Sequence, residues 1–352
     1  MPVYCDDVRA NQWGLETLDE LFPMAKDSQN SLVSLRHVLS LKKTHEGPST
    51  DDFVASNYHK GTGGTSNLPA WSSDERFGFQ NVTLEQVAWQ NQIHKLKLPS
   101  LQKAQDAGYH HAWFFQTPVV DSPSMLQSLL AELEKTNETK IDTSQQQGSC
   151  DVDVETGVYY ESSEELLDEA KKFECDTVVN CTGMGASKLC RDTELVGARG
   201  VLLVYDRASC TRLSCDDDYG QGQQEQLHDA CVFADELPWG TPDLPSYMIA
   251  RGDDIVIGGT CLPGDDEPTI RPHERTRLLE TARLLGIDTE ACQPKDEWVG
   301  FRPVRPKIRC EIDKTFNNAQ SDVRLVHCYG TGGSGWTIYT GLAKEVTRLV
   351  LQ

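Results

Sequence analysis

A mixed α/β architecture is what the sequence predicts, and three observations predict it. Strand-like apolar runs alternate with segments of helical periodicity, a hairpin is written into the carboxy-terminal half, and 352 residues, 38% of them hydrophobic, suffice for a large core.

The elements follow in order. Pro2-Val3-Tyr4-Cys5-Asp6-Asp7 reads as a short strand ending in carboxylates. Residues 26–111 are mixed and polar, with a Gly/Ser-rich loop at Gly61 to Ser66, and signal no fold clearly. Trp113 to Val120 reads as a strand feeding a helix from Ser124 to Lys135, with Met125, Leu126, Leu129, Leu130 and Leu133 on one side. Thr136 to Cys150 turns polar, as a surface insertion does. Ser162 with Glu165 forms a capping pattern for a helix ending near Phe173, followed by a strand from Thr177 to Thr182. Val201 to Tyr205 is apolar, and Tyr247 to Ala250 with Ile255 to Ile257 flank a turn at Arg251 to Asp254, a β-hairpin. A helix from Pro272 to Leu285 stops at Gly286, and a strand from Val323 to Tyr329, a glycine loop and a helix from Gly341 complete the pattern.

Composition removes several functional classes. A formal net charge of −21 repels a phosphate backbone, so nucleic acid is not an expected partner. No run reaches the roughly 18 apolar residues of a bilayer span, and the first ten residues have no signal-peptide character, which reads as an intracellular chain with no membrane partner. The 12 cysteines are scattered without a Cys-x-x-Cys pair and read as reduced thiols rather than disulfides or metal ligands.

Three segments carry chemistry. Val178 to Ala186 is an apolar strand breaking into a glycine turn whose amides can approach a ligand, although an ordinary strand-to-helix turn has the same look. In Gly300-Phe301-Arg302-Pro303-Val304-Arg305-Pro306, two X-Pro bonds hold two arginines in extended backbone. That suits a bidentate grip on a carboxylate, and two surface arginines in an acidic protein are the alternative. Tyr329 to Thr337 matches Gly-x-Gly-x-x-Gly at Gly330, Gly332 and Gly335. Too few residues follow for the second strand and ribose acid of a dinucleotide unit, so amides at a helix start are the feature to bind a flavin or phosphate edge.

Together with Ile-Gly-Gly-Thr at 257–260, these segments resemble the D-amino-acid oxidase and D-aspartate oxidase family in wording, order and spacing from about Trp113 to Leu351. The resemblance implies one unit over residues 1–352: an α/β fold in which an FAD-binding Rossmann-like domain, incomplete at the amino terminus, is interleaved with a mixed-sheet substrate domain. The FAD-binding parts would be about 1–25, 112–200 and 300–352, and the substrate domain about 26–111 and 201–299. The implied reaction is oxidative deamination of a D-amino acid by molecular oxygen, giving a 2-oxo acid, ammonia and hydrogen peroxide.

By the same resemblance, Arg302 would clamp the substrate carboxylate, Tyr247 would hydrogen-bond it, and the Gly333 carbonyl would receive the amine. Asp6 would meet the adenosine ribose, and Thr182 with Gly332, Gly333, Ser334, Gly335, Trp336 and Thr337 would contact the flavin. Hydride loss from a neutral amine needs no strong protein base, so none of the 9 histidines is assigned an acid-base role; they read as surface or core residues. No metal is expected.

The chain departs from the family in three places. The family opens with a strand and a Gly-x-Gly-x-x-Gly segment upstream of the element at Val3, and the sequence begins after it. That reads either as an omitted amino-terminal exon, which the intact downstream motifs favour, or as decay to a non-catalytic remnant. Asp7 to Gln12 does not reproduce the small-residue stretch that covers the flavin, and Asp243 stands where many members carry a lid tyrosine. An oxidase of glycine or secondary amines stays open beside the D-amino-acid reading, as do a homodimer and a peroxisomal or cytoplasmic location, since Leu351-Gln352 is no Ser-Lys-Leu ending.

Overall fold

The apolar runs assemble into a single mixed sheet in the computed structural model, which describes residues 7–42, 70–84, 105–106, 108–138, 154–210, 230–234, 245–285, 287–314 and 323–352. The expected strand at Val3 to Asp6, most of the polar insertion and the stop at Gly286 lie outside the described residues.

Helix α1 (Arg9–Lys26) stands where the sequence reading names no element. Two local forces account for it: Asp7 accepts from the Arg9 amide and guanidinium at 3.1 and 2.8 Å, and Ala10, Trp13, Thr17 and Leu21 form one buried stripe at helical spacing. Strand β1 (Val33–Lys42), unforeseen within the polar stretch, follows it. Then come β2 (Gln80–Thr83), β3 (His111–Val120) and α2 (Ser122–Glu138). Met125 is buried, whereas Leu126, Leu129, Leu130 and Leu133 stay 38–59% exposed.

Helix α3 (Ser163–Lys172) has the expected cap: the Ser162 side chain accepts from the Glu165 amide. Strand β4 (Thr177–Asn180) ends in a 3₁₀ turn and the short helix α4 (Ala186–Leu189). Next are β5 (Val196–Asp206), β6 (Ala230–Ala234), β7 (Ser246–Arg251), β8 (Asp254–Gly258) and β9 (Leu262–Pro263). β7 and β8 form the expected hairpin, with Gly252 in the turn at φ +54°. Helix α5 (Pro272–Leu284) starts with proline in its first turn, and β10 (Asp296–Ile312), β11 (Arg324–Thr331) and α6 (Gly335–Val350) complete the series.

The closing helix therefore begins at Gly335, six residues earlier than the sequence indicates. Burial of Ile338, Leu342 and Leu349 against α1 outweighs the weak helix propensity of Thr337, Thr340 and Gly341. Gly341 is where the helices touch: a Cβ there would lie 2.4 Å from the Trp13 Cα.

The 11-stranded sheet runs β2-β3-β1-β6-β7-β8-β5-β10-β11-β4, with β9 attached to β5. β1 is parallel to β6 and β11 to β4, and the other neighbours are antiparallel. One core lies under β1, β5 to β8 and α5, with Leu203, Met248, Ile257 and Leu278 at its centre; a second fills the space between α1, α6, β10 and β11. The two prolines of β10 leave it extended, and the ladder to β11 shifts register between Val304 and Arg309, which accommodates Pro306 without its missing donor. Among the described residues no helix is long and apolar enough to cross a membrane, no cluster is suited to a metal ion, and the cysteines are free thiols.

Candidate active site around Arg302

The site is built on two facing glycines. Gly200 of β5 and Gly300 of β10 are cross-strand partners, so the sheet has a floor without side chains between them. Trp298, Gly300 and Arg302 share one face of β10 by the two-residue repeat of a strand. The Trp298 ring lies on Gly300, where a Cβ would come within 2.1 Å of it, and the Arg302 guanidinium lies on Gly200, where a Cβ would come within 2.3 Å of Nη1. The resulting cavity measures about 210 Å³, with Leu202, Trp298, Phe301 and Gly332 among its walls.

Arg302 is half-buried, and its Nη1 donates to the Thr260 carbonyl at 2.8 Å. Among the described residues it has no carboxylate partner and is the one charged side chain lining the cavity. Thr260 is itself pinned, its hydroxyl donating to the Arg199 carbonyl and accepting from the Val201 amide, both at 3.1 Å. Behind it Arg199 is fully buried and forked onto Glu274 at 2.5 and 2.9 Å, with the Glu267 and Thr269 carbonyls accepting two more of its hydrogens. Burial alone would raise the Glu274 pKa, but the bonds and charges of Arg199 and Arg271 together outweigh it and hold the carboxyl below its ordinary value.

Tyr247 approaches the same segment from the other side. It is the cross-strand partner of Gly258, and its ring lies over Gly258 and Gly259, with its hydroxyl 2.9 Å from where a Cβ on Gly259 would stand. Tyr247 and Arg302 thus bracket Gly258-Gly259-Thr260, the Gly-Gly-Thr of the sequence motif.

The glycine loop closes the arrangement. Gly333 touches Arg302: a Cβ there would be 3.2 Å from the arginine Cδ. Gly332 has φ +56° and donates its amide to the Pro303 carbonyl at 2.8 Å, which ties the loop to β10. Ser334 is buried and precedes Gly335 at the start of α6 without a side-chain cap bond. The loop's own backbone bonds consume the amides of Gly332, Ser334 and Thr337, and those of Gly333, Gly335 and Trp336 are outside them. The Trp336 ring packs with Tyr339 among Leu21, Val33 and Met125, so only its backbone faces the loop.

Thr182 stands at the end of β4, exposed, its amide and hydroxyl both donating to Asn180 Oδ1 at 3.1 and 2.7 Å. Asp6 lies outside the described residues. Arg305 is committed elsewhere: it is ion-paired with Glu194 and, at 3.1 Å, with Asp192. Burial would raise the Asp192 pKa, yet the Tyr329 hydroxyl and Arg305 leave it below the ordinary carboxylate value. Of the two arginines, Arg305 is held in ion pairs and Arg302 has none among the described residues. Sequence reasoning missed Thr260 and the Gly200–Gly300 pair; the unbranched Arg199-Gly200 step inside an apolar strand was the available signal.

Comparison with known proteins places the fold. The sequence matches the model of a family described as FAD dependent oxidoreductase over residues 68–349. It is similar to a D-amino-acid oxidase of Rubrobacter xylanophilus, 28% identical over 174 residues that take in 49% of this chain and 45% of the relative. It is also similar to D-aspartate oxidase 1 of Caenorhabditis elegans, 28% identical over 188 residues, 52% of this chain and 48% of the relative. The chain thus spans about half the length of the curated relatives it matches. Among solved structures, the glycine oxidase of Geobacillus kaustophilus superposes with a TM-score of 0.59 at 13% identity, over 97% of this chain and 78% of that one.

Proposed function

The chain belongs to the FAD-dependent oxidoreductase family, and from that premise we propose that it catalyses oxidative deamination of D-amino acids. A D-amino acid, dioxygen and water would give a 2-oxo acid, ammonia and hydrogen peroxide. The observation that carries the reading is Arg302, a guanidinium laid on a glycine floor with one carbonyl partner and no carboxylate among the described residues.

The donor set fits a flavin. Backbone amides at the amino end of α6 suit a ring edge that gains negative charge, and glycines at 332 and 333 leave room for close approach. When bound, FAD supplies the two-electron acceptor that the protein's side chains lack.

Each residue then has a task. Arg302 grips the substrate carboxylate with its free donors, and the Thr260 carbonyl fixes the angle of the grip. Tyr247 adds a hydroxyl to the same carboxylate, and the Gly333 carbonyl accepts from the amine, which fixes the third point around the α-carbon. With carboxylate and amine held, the room left for the side chain decides which enantiomer presents its α-hydrogen, so orientation replaces a protein base. Trp298 and Phe301 keep water from the apolar side of the cavity.

The test is an anaerobic absorption titration of the full chain supplied with FAD. Bleaching of the flavin bands by D-alanine or D-aspartate but not their L-isomers, lost in Arg302→Leu, is the expected result. Bleaching by glycine or sarcosine alone would move the assignment to an oxidase of glycine or secondary amines, and a chain that takes up no flavin would end it.

A further inference from the structure

A buried chain of hydrogen bonds runs from Thr182 into the protein, and the Thr182 amide sets its direction. The Thr182 amide can only donate, and it lies 3.1 Å from Asn180 Oδ1, which therefore accepts. That assignment turns the Asn180 amide nitrogen toward Cys190 Sγ at 3.1 Å and His327 Nδ1 at 3.3 Å. The amide nitrogen can only donate, so its contact calls for a His327 Nδ1 without a hydrogen, which also faces Cys190 Sγ at 4.0 Å. The ring's hydrogen is on Nε2, 2.9 Å from Asp313 Oδ2, which Arg309 also holds at 3.2 Å.

The consequence returns to the surface. Because Asn180 Oδ1 is an acceptor, the Thr182 hydroxyl 2.7 Å away must spend its hydrogen inward. Asn180 and His327 are 1% and 0% exposed, so no solvent can substitute for a missing partner. A hydrogen on His327 Nδ1 would face the Asn180 amide donor to donor and turn the amide over, and Thr182 would lose its acceptor.

We propose that His327 is a positioning residue which, through Asn180, holds Thr182 as a hydrogen-bond acceptor only, so that Thr182 selects a donor group on the bound flavin. The proposal rests on the reading of the site as flavin-binding. It assigns the otherwise unused histidine of the strand before the glycine loop a task other than acid-base chemistry. Burial, which pushes the His327 pKa down against the pull of Asp313, keeps the ring in the required form.

The experiment has two arms on the full chain. In the first, nitrogen NMR of protein labelled at histidine reads the tautomer, with His327→Gln identifying the signal; hydrogen on Nε2 is expected, and hydrogen on Nδ1 overturns the proposal. In the second, quenching of FAD fluorescence measures affinity for wild type, Thr182→Ser, Thr182→Val, His327→Phe, His327→Gln and the Val/Phe double variant. Thr182→Val and His327→Phe should each weaken binding about tenfold, as loss of one hydrogen bond does. Thr182→Ser should bind like wild type. His327→Gln, whose amide offers an acceptor to Asn180 and a donor to Asp313, should recover most of the loss. The double variant should lose no more than the larger single loss, because both act on one contact. Losses that multiply overturn the proposal while leaving the flavin reading intact. A wild-type chain that binds no FAD overturns that reading, and the tautomer arm still judges the relay by itself. If His327→Phe does not fold, Thr182→Val against Thr182→Ser and the tautomer decide.

Discussion

The guanidinium of Arg302 rests directly on Gly200, so closely that a Cβ at position 200 would stand 2.3 Å from Nη1 and 2.7 Å from Cζ. The atom in the way is the far end of a flexible side chain, so Gly200→Ala can fold by swinging the arginine off its seat. We expect little change in thermal stability and a KM for the amino-acid substrate raised roughly tenfold or more, the scale of a charged hydrogen bond lost or misaligned. Steady-state kinetics alongside a melting curve checks it, and an unchanged KM would show that the seat is unimportant.

The two arginines of the Pro-flanked strand should separate cleanly. Arg302→Lys keeps the charge but loses the planar fork, and KM should rise about tenfold or more. Arg305→Ala takes from Asp192, a nearly buried carboxylate, its shorter ion pair, leaving Arg309 at 3.9 Å, and should cost about 1–3 kcal/mol of stability with KM little moved. Urea unfolding and kinetics on both variants distinguish the roles; a reversal of the two patterns would refute the assignment.

Removing the partner of Arg199 should be among the most damaging changes in the molecule. Glu274→Ala leaves a fully buried guanidinium with only the Asp265 carboxylate at 3.9 Å, for which about 3–5 kcal/mol is expected. Glu274→Gln keeps an acceptor and should cost less. Denaturation midpoints report the order, and equal losses would mean that the pair's charge contributes nothing.

His327 also predicts a pH dependence. Its folded-state pKa is lowered by burial, while in the unfolded chain the imidazole takes up a proton as pH falls through about 6.5. The unfolded state then binds more protons, so stability declines below pH 6.5, by up to about 1.4 kcal/mol per pH unit, before the carboxylates titrate. Unfolding free energy measured from pH 7.5 to 5.5 should show this slope in the wild type and lose it in His327→Gln. A slope shared by both would place the titration elsewhere.

Local patterns were the legible part of the fold. The Ser162 cap, the 246–258 hairpin and the strands at 113–120 and 323–329 each announce themselves within a few residues. Helix α1 and strand β1 did not, because Arg36 and His37 break the apolar run of β1 and α1 is held by contacts with α6 more than 300 residues away. The start of α6 was misplaced for the same reason: weak helix formers at 335–341 are carried by burial rather than by propensity.

The sequence by itself determined the family likeness, the mixed α/β class and the identity of Tyr247, Arg302 and the glycine loop as residues to watch, since these are written in contiguous words. Only the tertiary structure decided that Arg305 is held in ion pairs while Arg302 is seated on Gly200, what Tyr247 and Arg302 share, and what lies between Asp313 and Thr182. Those depend on strands β8, β5, β10, β11 and β4 lying side by side. Cross-strand register brings Gly200 under Arg302 and Asn180 beside His327, residues separated by about a hundred positions or more, and no local spacing encodes such a meeting.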